Sequence, residues 1–457
     1  MGVVLLGLFM SVLDTVIVSI ALPGITTYFG TTVSGSQWVV TAYLLTMTAL
    51  LLVFGKLATY KGLKKMFLGG LVLFTVSSLG CGMATSLPVL IAFRLSQAIG
   101  GAMASSISMA LIFRLSPPDK QGKSMGIMSA TVAIASLAGP GLGGILIDLF
   151  DWRAIFLINI PAGIIALLTG IPYFNIGDER KEKQTLVSGF DWQGAICFAA
   201  GITALTFMLN AVASDGLYST KFLVTLFVAL LAFALLIRNE RKHSNPILDI
   251  TIFKEHMFSL PLLSMILFFA AIFILNITMP FYLEEVLEFA SFRVGLIMMV
   301  IPVILVLGSP VTGWLYDRIS WQRFAPSGQV LASMALLLCA WAVLKGNVAM
   351  IIFALALFAL GYALFQSPNN IEIMRGLHKD KATIASSIAN TGRHFGMAVG
   401  ASFASLLLSV QLILPGLQEV ITPNSGINGL VISSSVALII AAVLCAIAAW
   451  PSYLRNR

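Results

Sequence analysis

Long apolar runs, separated by short polar stretches, extend along the whole chain. A run of about twenty apolar residues is long enough for a helix to cross about 30 Å of hydrocarbon. Fourteen such runs lie near residues 2–22, 37–57, 66–86, 88–112, 125–149, 153–173, 193–211, 221–238, 258–283, 294–316, 325–344, 347–371, 384–412 and 429–451. The polar stretches between them are too short to fold separately. The pattern therefore predicts an all-α polytopic membrane protein with fourteen transmembrane helices.

The composition agrees with a membrane protein and disfavours a nucleic-acid partner, disulfides and a metal site. Of the 457 residues, 58% are apolar and 10% charged, and the mean hydropathy of +0.97 lies beyond the range of soluble domains. The net charge of +8 comes from basic residues spread among short loops, so we expect no nucleic-acid partner. Isolated cysteines in apolar runs predict neither disulfides nor a metal site; they are Cys81, Cys197, Cys339 and Cys445.

The distribution of Lys and Arg predicts the orientation of the helices. With the N-terminus inside, the inside loops and the C-terminal tail carry 21 basic residues and the outside loops carry 4, while Arg94 and Arg393 fall inside predicted helices. Basic residues are enriched on the cytoplasmic side of membranes. We therefore expect a cell (inner) membrane protein whose two termini are cytoplasmic. The run that begins at Gly2 has no basic leader, so we interpret it as a retained helix and not a signal peptide.

Internal similarity predicts two related halves. Three pairs of segments match at offsets of 257 to 261 residues; one pair is "GKLATYKGLKK" from Gly55 and "GWLYDRISWQR" from Gly313. The runs at 193–211 and 221–238 fall outside the repeat. We therefore predict three parts: an N-terminal six-helix bundle at 1–175, a linker with an inserted transmembrane hairpin at 176–257, and a C-terminal six-helix bundle at 258–457.

The first apolar run contains an acid, Asp14. A charge at the bilayer centre costs about 2.5–3.5 kcal/mol on insertion scales, so such residues are usually kept for transport chemistry. Asp14 lies about 18 Å along the helix from Gly2 at 1.5 Å per residue, near mid-membrane. Ser11 and Thr15 lie beside Asp14 at helical spacing and form a polar stripe with it. We interpret Asp14 as a proton carrier; an aspartate that only accepts interhelical hydrogen bonds is the alternative.

Arg94 is the basic counterpart of Asp14 in the predicted fourth helix. A guanidinium does not deprotonate under ordinary conditions, so it does not carry the proton itself. We expect Arg94 to pair with Asp14 or to bond Gln97, and so to control when the carboxyl loses its proton. A structural arginine bonded to helix carbonyls is the alternative.

Several motifs together resemble the major facilitator superfamily and, within it, the fourteen-helix drug:proton antiporters. They include "LDTVIVSIALP", "WVVTAYLL", "LIAFRLSQAIGGA", "AGPGLGGIL" and "WRAIFLINIPAG". The resemblance implies two helical bundles that rock around a central cavity and exchange a proton for an exported compound. The sequence departs from the family in the first cytoplasmic loop, where Thr59 and Tyr60 replace the usual Asp-Arg pair. The resemblance implies that this loop acts as a latch between the two bundles on the cytoplasmic side. The second copy of the loop keeps the pair as Asp317 and Arg318, so we expect the latch to rest on the second half.

The remaining site residues form two groups. Polar side chains in the spans are expected to line the substrate cavity: Ser11, Thr15, Gln37, Tyr43, Gln97, Asn276, Gln366, Asn390, Arg393 and His394. Helix-helix hydrogen bonding is the alternative for the polar residues of the second half, and a packing role is the alternative for His394. Small, kinking or latching residues are expected to act in gating and helix packing: Gly55, Gly62, Gly139, Pro140, Gly143, Gly144, Asp317 and Arg318.

The function expected from the sequence is proton-coupled export. A phosphate-binding loop is missing from the sequence, and no HExxH or GxSxG motif lies on a plausible soluble surface, which disfavours ATP drive and a membrane enzyme. We expect no cofactor beyond the proton gradient, no metal, small-molecule substrates, contact with membrane lipid and a monomer. The expected cargo is lipophilic and cationic or neutral. The alternatives are a dedicated exporter of one metabolite, such as an amino acid, siderophore or lipid, and a non-transporting sensor or scaffold.

Overall fold

A computed structural model describes most of the chain as long helices. The described residues are 1–31, 33–173, 190–215, 219–240, 246–248, 250–319, 323–378, 381–413 and 429–454. Within these ranges there are helices, turns and bends and no strands. Eleven described helices are long and apolar enough to cross a membrane, and two shorter apolar helices lie at Ala154–Gly170 and Trp192–Met208.

The first half of the chain contains seven helices. They are α1 (Gly2–Phe29), α2 (Val33–Lys61), α3 (Leu63–Gly82), α4 (Leu87–Leu115), α5 (Gln121–Leu149), α6 (Ala154–Leu157) and α7 (Asn159–Tyr173). Helix α4 packs along α2 and α3, while α1 packs along α5 and α3 contacts α7. Small residues permit these close approaches: a Cβ at Gly100 of α4 would lie 2.5 Å from the backbone nitrogen of Phe74 in α3.

A hairpin and a second set of helices follow. The hairpin is α8 (Trp192–Asp215) and α9 (Thr220–Glu240), which pack against each other. The second set is α10 (His256–Phe281), α11 (Ser291–Met298), α12 (Val300–Ile319), α13 (Phe324–Lys345), α14 (Val348–Arg375), α15 (Ala382–Ile413) and α16 (Gly429–Leu454). Within this set α13 packs along α14 and α16, and α10 packs along α15 and α16.

Two of the fourteen predicted spans contain a short break in the α-helix. The span predicted at 153–173 is divided between α6 and α7, and the span predicted at 294–316 is divided between α11 and α12. A proline follows each break, Pro161 and Pro302, and its missing N–H removes the hydrogen bond to the residue four positions earlier. Those residues are the last of α6 and of α11.

The predicted domain boundaries are only partly within the described residues. The boundary at 175/176 falls in 174–189, outside the described residues, and α10 begins two residues before the boundary at 257/258. The three-part division therefore stays a prediction. The hairpin predicted at 193–211 and 221–238 coincides with α8 and α9.

The two halves meet along several helix pairs. Helix α5 of the first half packs along α12, and α2 and α4 pack against α15. Helix α8 of the hairpin contacts both α2 and α15. Many contacts lie toward one end of the molecule, which we term the basic end because α2 ends and α3 begins there with Lys61, Lys64 and Lys65.

Candidate functional site

An ion pair joins Asp14 of α1 to Arg94 of α4 inside the first half. One guanidinium nitrogen of Arg94, Nη1, lies 2.6 Å from Asp14 Oδ2, and both side chains are 0% exposed. Each residue lies well inside its helix, so the pair is far from the helix ends. A buried charge that lost its partner here would be left uncompensated, which is strongly unfavourable.

Two amides complete the surroundings of the Asp14 carboxyl. Gln97 Nε2 donates to Asp14 Oδ1 at 3.0 Å, and Asn159 Nδ2 of α7 donates to the same oxygen at 3.2 Å. With Arg94, three donors from two helices therefore converge on one acid. Because an ionised carboxylate only accepts hydrogen bonds, this arrangement suits the charged form of Asp14.

Arg94 has further partners that fix its guanidinium. Its Nε donates to the Val39 carbonyl at 3.0 Å, and Nη1 also donates to Gln97 Oε1 at 2.7 Å. The Arg94 Cζ lies 4.1 Å from the centre of the Tyr43 ring, a cation–π contact. Within the described chain Nη2 has no hydrogen-bond partner. Gln97 is held in turn by Ser78, whose Oγ accepts from Gln97 Nε2 at 2.8 Å.

A line of hydroxyl groups leads from this cluster to the second half. Tyr43 Oη lies 3.4 Å from Ser11 Oγ, and Ser105 Oγ donates to Ser11 Oγ at 3.5 Å. The backbone carbonyl of the same Ser105 accepts a hydrogen bond of 2.9 Å from Asn390 Nδ2 on α15. We term Tyr43, Ser11, Ser105 and Asn390 the hydroxyl–amide line. Thr15 lies beside it, but its hydroxyl donates to the Ser11 carbonyl of its own helix at 2.9 Å.

The contact between the halves continues along α15. Ser386 Oγ donates to the Ser106 carbonyl of α4 at 2.8 Å, and Ser387 Oγ reaches the same carbonyl at 3.3 Å. Gly55 of α2 faces Ser387 so closely that a Cβ at Gly55 would overlap the serine side chain. Asn390, expected to line the cavity, therefore lies in this contact between the halves.

Asp317 of α12 makes a second contact between the halves, at the start of α5. Its Oδ1 accepts from the Gly122 N–H at 2.7 Å and its Oδ2 from the Lys123 N–H at 2.8 Å. A carboxylate at a helix N-terminus is favoured by the free N–H groups and the helix dipole. Arg318 is exposed, with its Cζ 5.4 Å from the Trp314 ring centre.

The first copy of the loop motif is arranged differently. Thr59 Oγ1 donates to the Lys56 carbonyl of its own helix at 2.7 Å, and the Tyr60 ring packs edge-on against Phe190 at 6.0 Å. Gly62 separates α2 from α3 with a φ of 88°, a backbone conformation that favours glycine. The turn between α2 and α3 therefore explains why residue 62 is a glycine.

The glycines of the α5 motif do not all lie in close contacts. A Cβ at Gly139 would lie 2.7 Å from Val16 of α1, and one at Gly143 would lie 2.9 Å from Ile17. A Cβ at Gly144 would meet nothing within 4 Å, so Gly144 makes no close helix contact in this conformation and its gating role stays a prediction. Pro140 belongs to α5, but its side chain lies outside the described residues.

The polar residues expected to line the cavity from the second half are dispersed. Arg393 and His394 are partly buried on α15, and the Arg393 Cζ lies 5.1 Å from the Phe269 ring centre on α10. Gln366 is 3% exposed in α14, whereas Asn276 is exposed. The Gln37 side chain lies outside the described residues. Among the described residues expected to line the cavity, those that contact Asp14 or Arg94 belong to the first half.

Asn159 is the member of the cluster that the sequence did not single out. It is 2% exposed and begins α7. A single amide in the apolar segment "FLINIPAG" was the available signal, but a neutral amide stands out less in an apolar run than an acid does. Ser78 was also missed, because a neutral hydroxyl likewise stands out less than a charge in an apolar run.

Comparison with known proteins identifies the family. The family model described as Major Facilitator Superfamily matches residues 4–401. The chain belongs to the major facilitator superfamily. It is 32% identical to "Riboflavin transporter RibZ" of Clostridioides difficile over 414 residues, which are 90% of this chain and 88% of that protein. It is 30% identical to "Multidrug resistance protein Stp" of Mycobacterium tuberculosis over 408 residues, 89% of this chain and 75% of that protein.

The solved structures agree with this assignment. The crystal structure of the human organic anion transporter MFSD10 (TETRAN) aligns with a TM-score of 0.65 over 99% of this chain and 98% of that chain. At 15% identity this likeness shows the fold alone. The predicted all-α major facilitator fold is confirmed, and the resemblance to drug:proton antiporters agrees with the name of Stp. The protein is a multi-pass membrane transporter of this superfamily.

Proposed function

We propose that this transporter exports lipophilic small molecules from the cytoplasm in exchange for protons, with Asp14 as the protonation site. The observation that carries the proposal is the fully buried ion pair of Asp14 and Arg94, to which Gln97 and Asn159 add two further donors. Intramembrane acids are expensive and are usually kept for proton or ion pathways. The proton gradient is the energy source in this proposal, and no cofactor is required.

Protonation of Asp14 changes both charge and hydrogen bonding in the cluster. The ionised carboxylate accepts from three donors; the protonated carboxyl has lost its charge and carries a donor of its own. Arg94 keeps its charge and loses its counter-ion, because a guanidinium does not deprotonate. The cluster thus gains one positive charge in a buried region, and the arrangement that suits the ion pair becomes unfavourable.

The hydroxyl–amide line offers a physical route from this event to the contact between the halves. Arg94 stacks on Tyr43, and the Tyr43 hydroxyl lies beside Ser11. Ser105 touches Ser11 through its hydroxyl and Asn390 through its carbonyl. In our proposal a shift of Arg94 on protonation displaces Tyr43 and weakens the contact at Asn390. This links proton binding to the alternation of access between the two sides.

The orientation follows from the basic end. Because basic residues are enriched on the cytoplasmic side, we propose that the basic end and both termini face the cytoplasm of a cell membrane. The contacts of Asp317 and Ser387 lie toward this end, so the described conformation corresponds to a transporter closed to the cytoplasm. We further propose that one chain is sufficient for transport.

A dedicated exporter of one metabolite is the second candidate. The 32% identity to a protein named as a riboflavin transporter, over 90% of this chain, favours it. The same proton chemistry would drive export of a single compound. A dedicated exporter would differ from a multidrug exporter in the residues that line the substrate cavity.

Proteoliposomes that contain the purified transporter test these candidates. The probes are ethidium, a cation; N-phenyl-1-naphthylamine, a neutral compound; and 8-anilinonaphthalene-1-sulfonate, an anion. A drug exporter should move at least one probe under an imposed proton gradient, and riboflavin should compete only if flavins share the cavity. A dedicated flavin exporter should move riboflavin and ignore all three probes. A sensor or scaffold would move no solute, which would contradict export.

A further inference from the structure

Arg393 is a second arginine far inside a helix, and none of the described residues gives it an acidic partner. Its Nε and Nη2 atoms are buried and have no hydrogen-bond partner in the described chain. The described residues contain no ion pair to Arg393, whereas Arg94 has one to Asp14. A buried guanidinium without an acceptor forgoes several hydrogen bonds and keeps an uncompensated charge, which is unfavourable unless a ligand supplies the missing group.

The charges deep in the helices leave an excess of positive charge. Among the described residues, the Asp, Glu, His, Lys and Arg side chains that lie at least seven residues from both ends of their helix are Asp14, Arg94, Arg393 and His394. Asp14 and Arg94 neutralise each other. Arg393 then provides a net positive charge, and no acid in this set balances it. A cationic compound in the same space would meet repulsion, and an anionic compound would meet attraction.

A cluster of aromatic rings begins beside Arg393. The Phe269 ring lies 5.1 Å from Arg393 Cζ, and Tyr362 lies edge-on to Phe269 at 6.0 Å between ring centres. Phe268 continues this cluster, at 5.4 Å from Tyr362 and 4.3 Å from Phe365. Rings beside a guanidinium suit a ligand that joins a flat apolar body to an acidic group.

Arg393 also lies beyond the contact between the halves. Asn390, one turn earlier on α15, bonds the Ser105 carbonyl of the first half. Helix α15 begins near the basic end, so Arg393 lies on the far side of that contact from the basic end. In a conformation closed at the basic end, this is the level at which a cargo held between the halves would remain.

We propose that the exported compounds carry an acidic group, a carboxylate or sulfonate on an aromatic body, and that Arg393 binds this group. The proposal rests on the export function above and deepens it. It replaces the cationic or neutral cargo expected from the sequence with an anionic one. Arg393 binds cargo, while Asp14 exchanges the proton beside its partner Arg94, so the two roles lie on different halves.

A pair of probes with one aromatic skeleton tests the proposal. 8-Anilinonaphthalene-1-sulfonate and N-phenyl-1-naphthylamine differ by the sulfonate. Gradient-driven efflux of both is measured in proteoliposomes for the wild type, Arg393→Gln and Arg393→Lys. The matched control is Arg293→Gln, because Arg293 also stacks on a phenylalanine, Phe289 at 3.9 Å, but is exposed at the start of α11.

The expected result is efflux of the sulfonate by the wild type and a loss of at least tenfold in Arg393→Gln. Arg393→Lys should retain part of the activity because it keeps the charge, and Arg293→Gln should behave as wild type. Equal sulfonate efflux in Arg393→Gln and wild type would overturn the proposal. So would a wild type that moves ethidium or the neutral probe and ignores the sulfonate, although export itself would then stand.

A binding measurement decides the case in which no probe moves. The melting temperature of each purified variant is followed by circular dichroism with and without the sulfonate. A stabilisation of the wild type that is lost in Arg393→Gln supports an anion site at Arg393, even if export fails. No stabilisation of the wild type, or an equal one in Arg393→Gln, overturns the proposal.

Discussion

Gly55 of α2 and Ser387 of α15 face each other across the two halves, with no space for a side chain at Gly55. A Cβ at that position would overlap the Ser387 side chain, while Ser387 itself bonds the Ser106 carbonyl. A larger residue at position 55 would force Ser387 or one of the two helices to move. We therefore expect closure of the basic end to be sensitive to the size of residue 55.

Gly55→Ala should disfavour the conformation closed at the basic end. Overpacking costs about 1–3 kcal/mol, which corresponds to a shift in population of about 5- to 150-fold. The measurement is the reactivity of a Ser106→Cys reporter toward an impermeant maleimide added at the basic end, in a background with the four native cysteines replaced by alanine. Reactivity should rise in Gly55→Ala.

Two further variants make this expectation specific. Ser387→Gly removes the atoms that clash, so the double variant with Gly55→Ala should return reactivity toward the wild-type value. Gly141→Ala is the control, because a Cβ at Gly141 meets nothing within 4 Å. If Gly55→Ala leaves the reporter as protected as in the wild type, the contact does not control closure.

Asp317→Asn should weaken the second contact between the halves. The variant replaces a charged acceptor at the start of α5 by a neutral amide, so Gly122 and Lys123 lose charge-assisted hydrogen bonds worth about 1 kcal/mol in total. Reporter reactivity at the basic end should rise about fivefold. Asp148→Asn, an exposed acid at the opposite end of α5, serves as the control. Equal protection in the two variants would show that Asp317 is not part of the latch.

Arg94→Gln should destabilise the protein because it leaves the buried Asp14 carboxylate without its counter-ion. Loss of one partner of a buried pair costs about 3–5 kcal/mol. The double variant Asp14→Asn with Arg94→Gln carries no charge at the site, so its melting temperature should recover most of the loss. Its gradient-driven efflux should remain absent, because no group exchanges a proton. Recovered efflux in the double variant would assign the pair a structural role alone.

Tyr43→Phe should uncouple proton binding from transport in part. The variant keeps the ring that stacks on Arg94 at 4.1 Å and removes the hydroxyl beside Ser11. Gradient-driven efflux should fall several-fold, while downhill exchange of the same probe and the melting temperature should change little. Tyr282→Phe is the matched control, since its buried hydroxyl bonds the Val343 carbonyl away from the hydroxyl–amide line. The same loss in both variants would argue against a route through Tyr43.

The apolar pattern was sufficient to predict the helices, because burial in lipid requires long runs of apolar residues. It could not show the breaks at Pro161 and Pro302, since an average over twenty residues is insensitive to one missing hydrogen bond. It also ended most helices too early. Helix α1, for example, continues through Pro23 to Phe29.

The site was predictable to the extent that charge stands out in an apolar run. Asp14 and Arg94 were visible for that reason, and the structure places them 2.6 Å apart. Asn159 was missed because a neutral amide gives a weak signal, and because its contact with Asp14 spans 145 residues of sequence. The placement of Asn390 against Ser105 depends on how two halves pack, which one sequence does not reveal.

The proton flux of Asp14→Asn tests the proposed coupling most directly. Proteoliposomes are loaded with the pH indicator pyranine, and a probe that the wild type transports is added with and without an imposed proton gradient. Wild-type vesicles should show proton movement with probe transport and accumulate the probe. Asp14→Asn should still insert and exchange the probe downhill, with neither proton movement nor accumulation. Proton-coupled accumulation at the wild-type rate in Asp14→Asn would contradict the assignment of Asp14 as the protonation site.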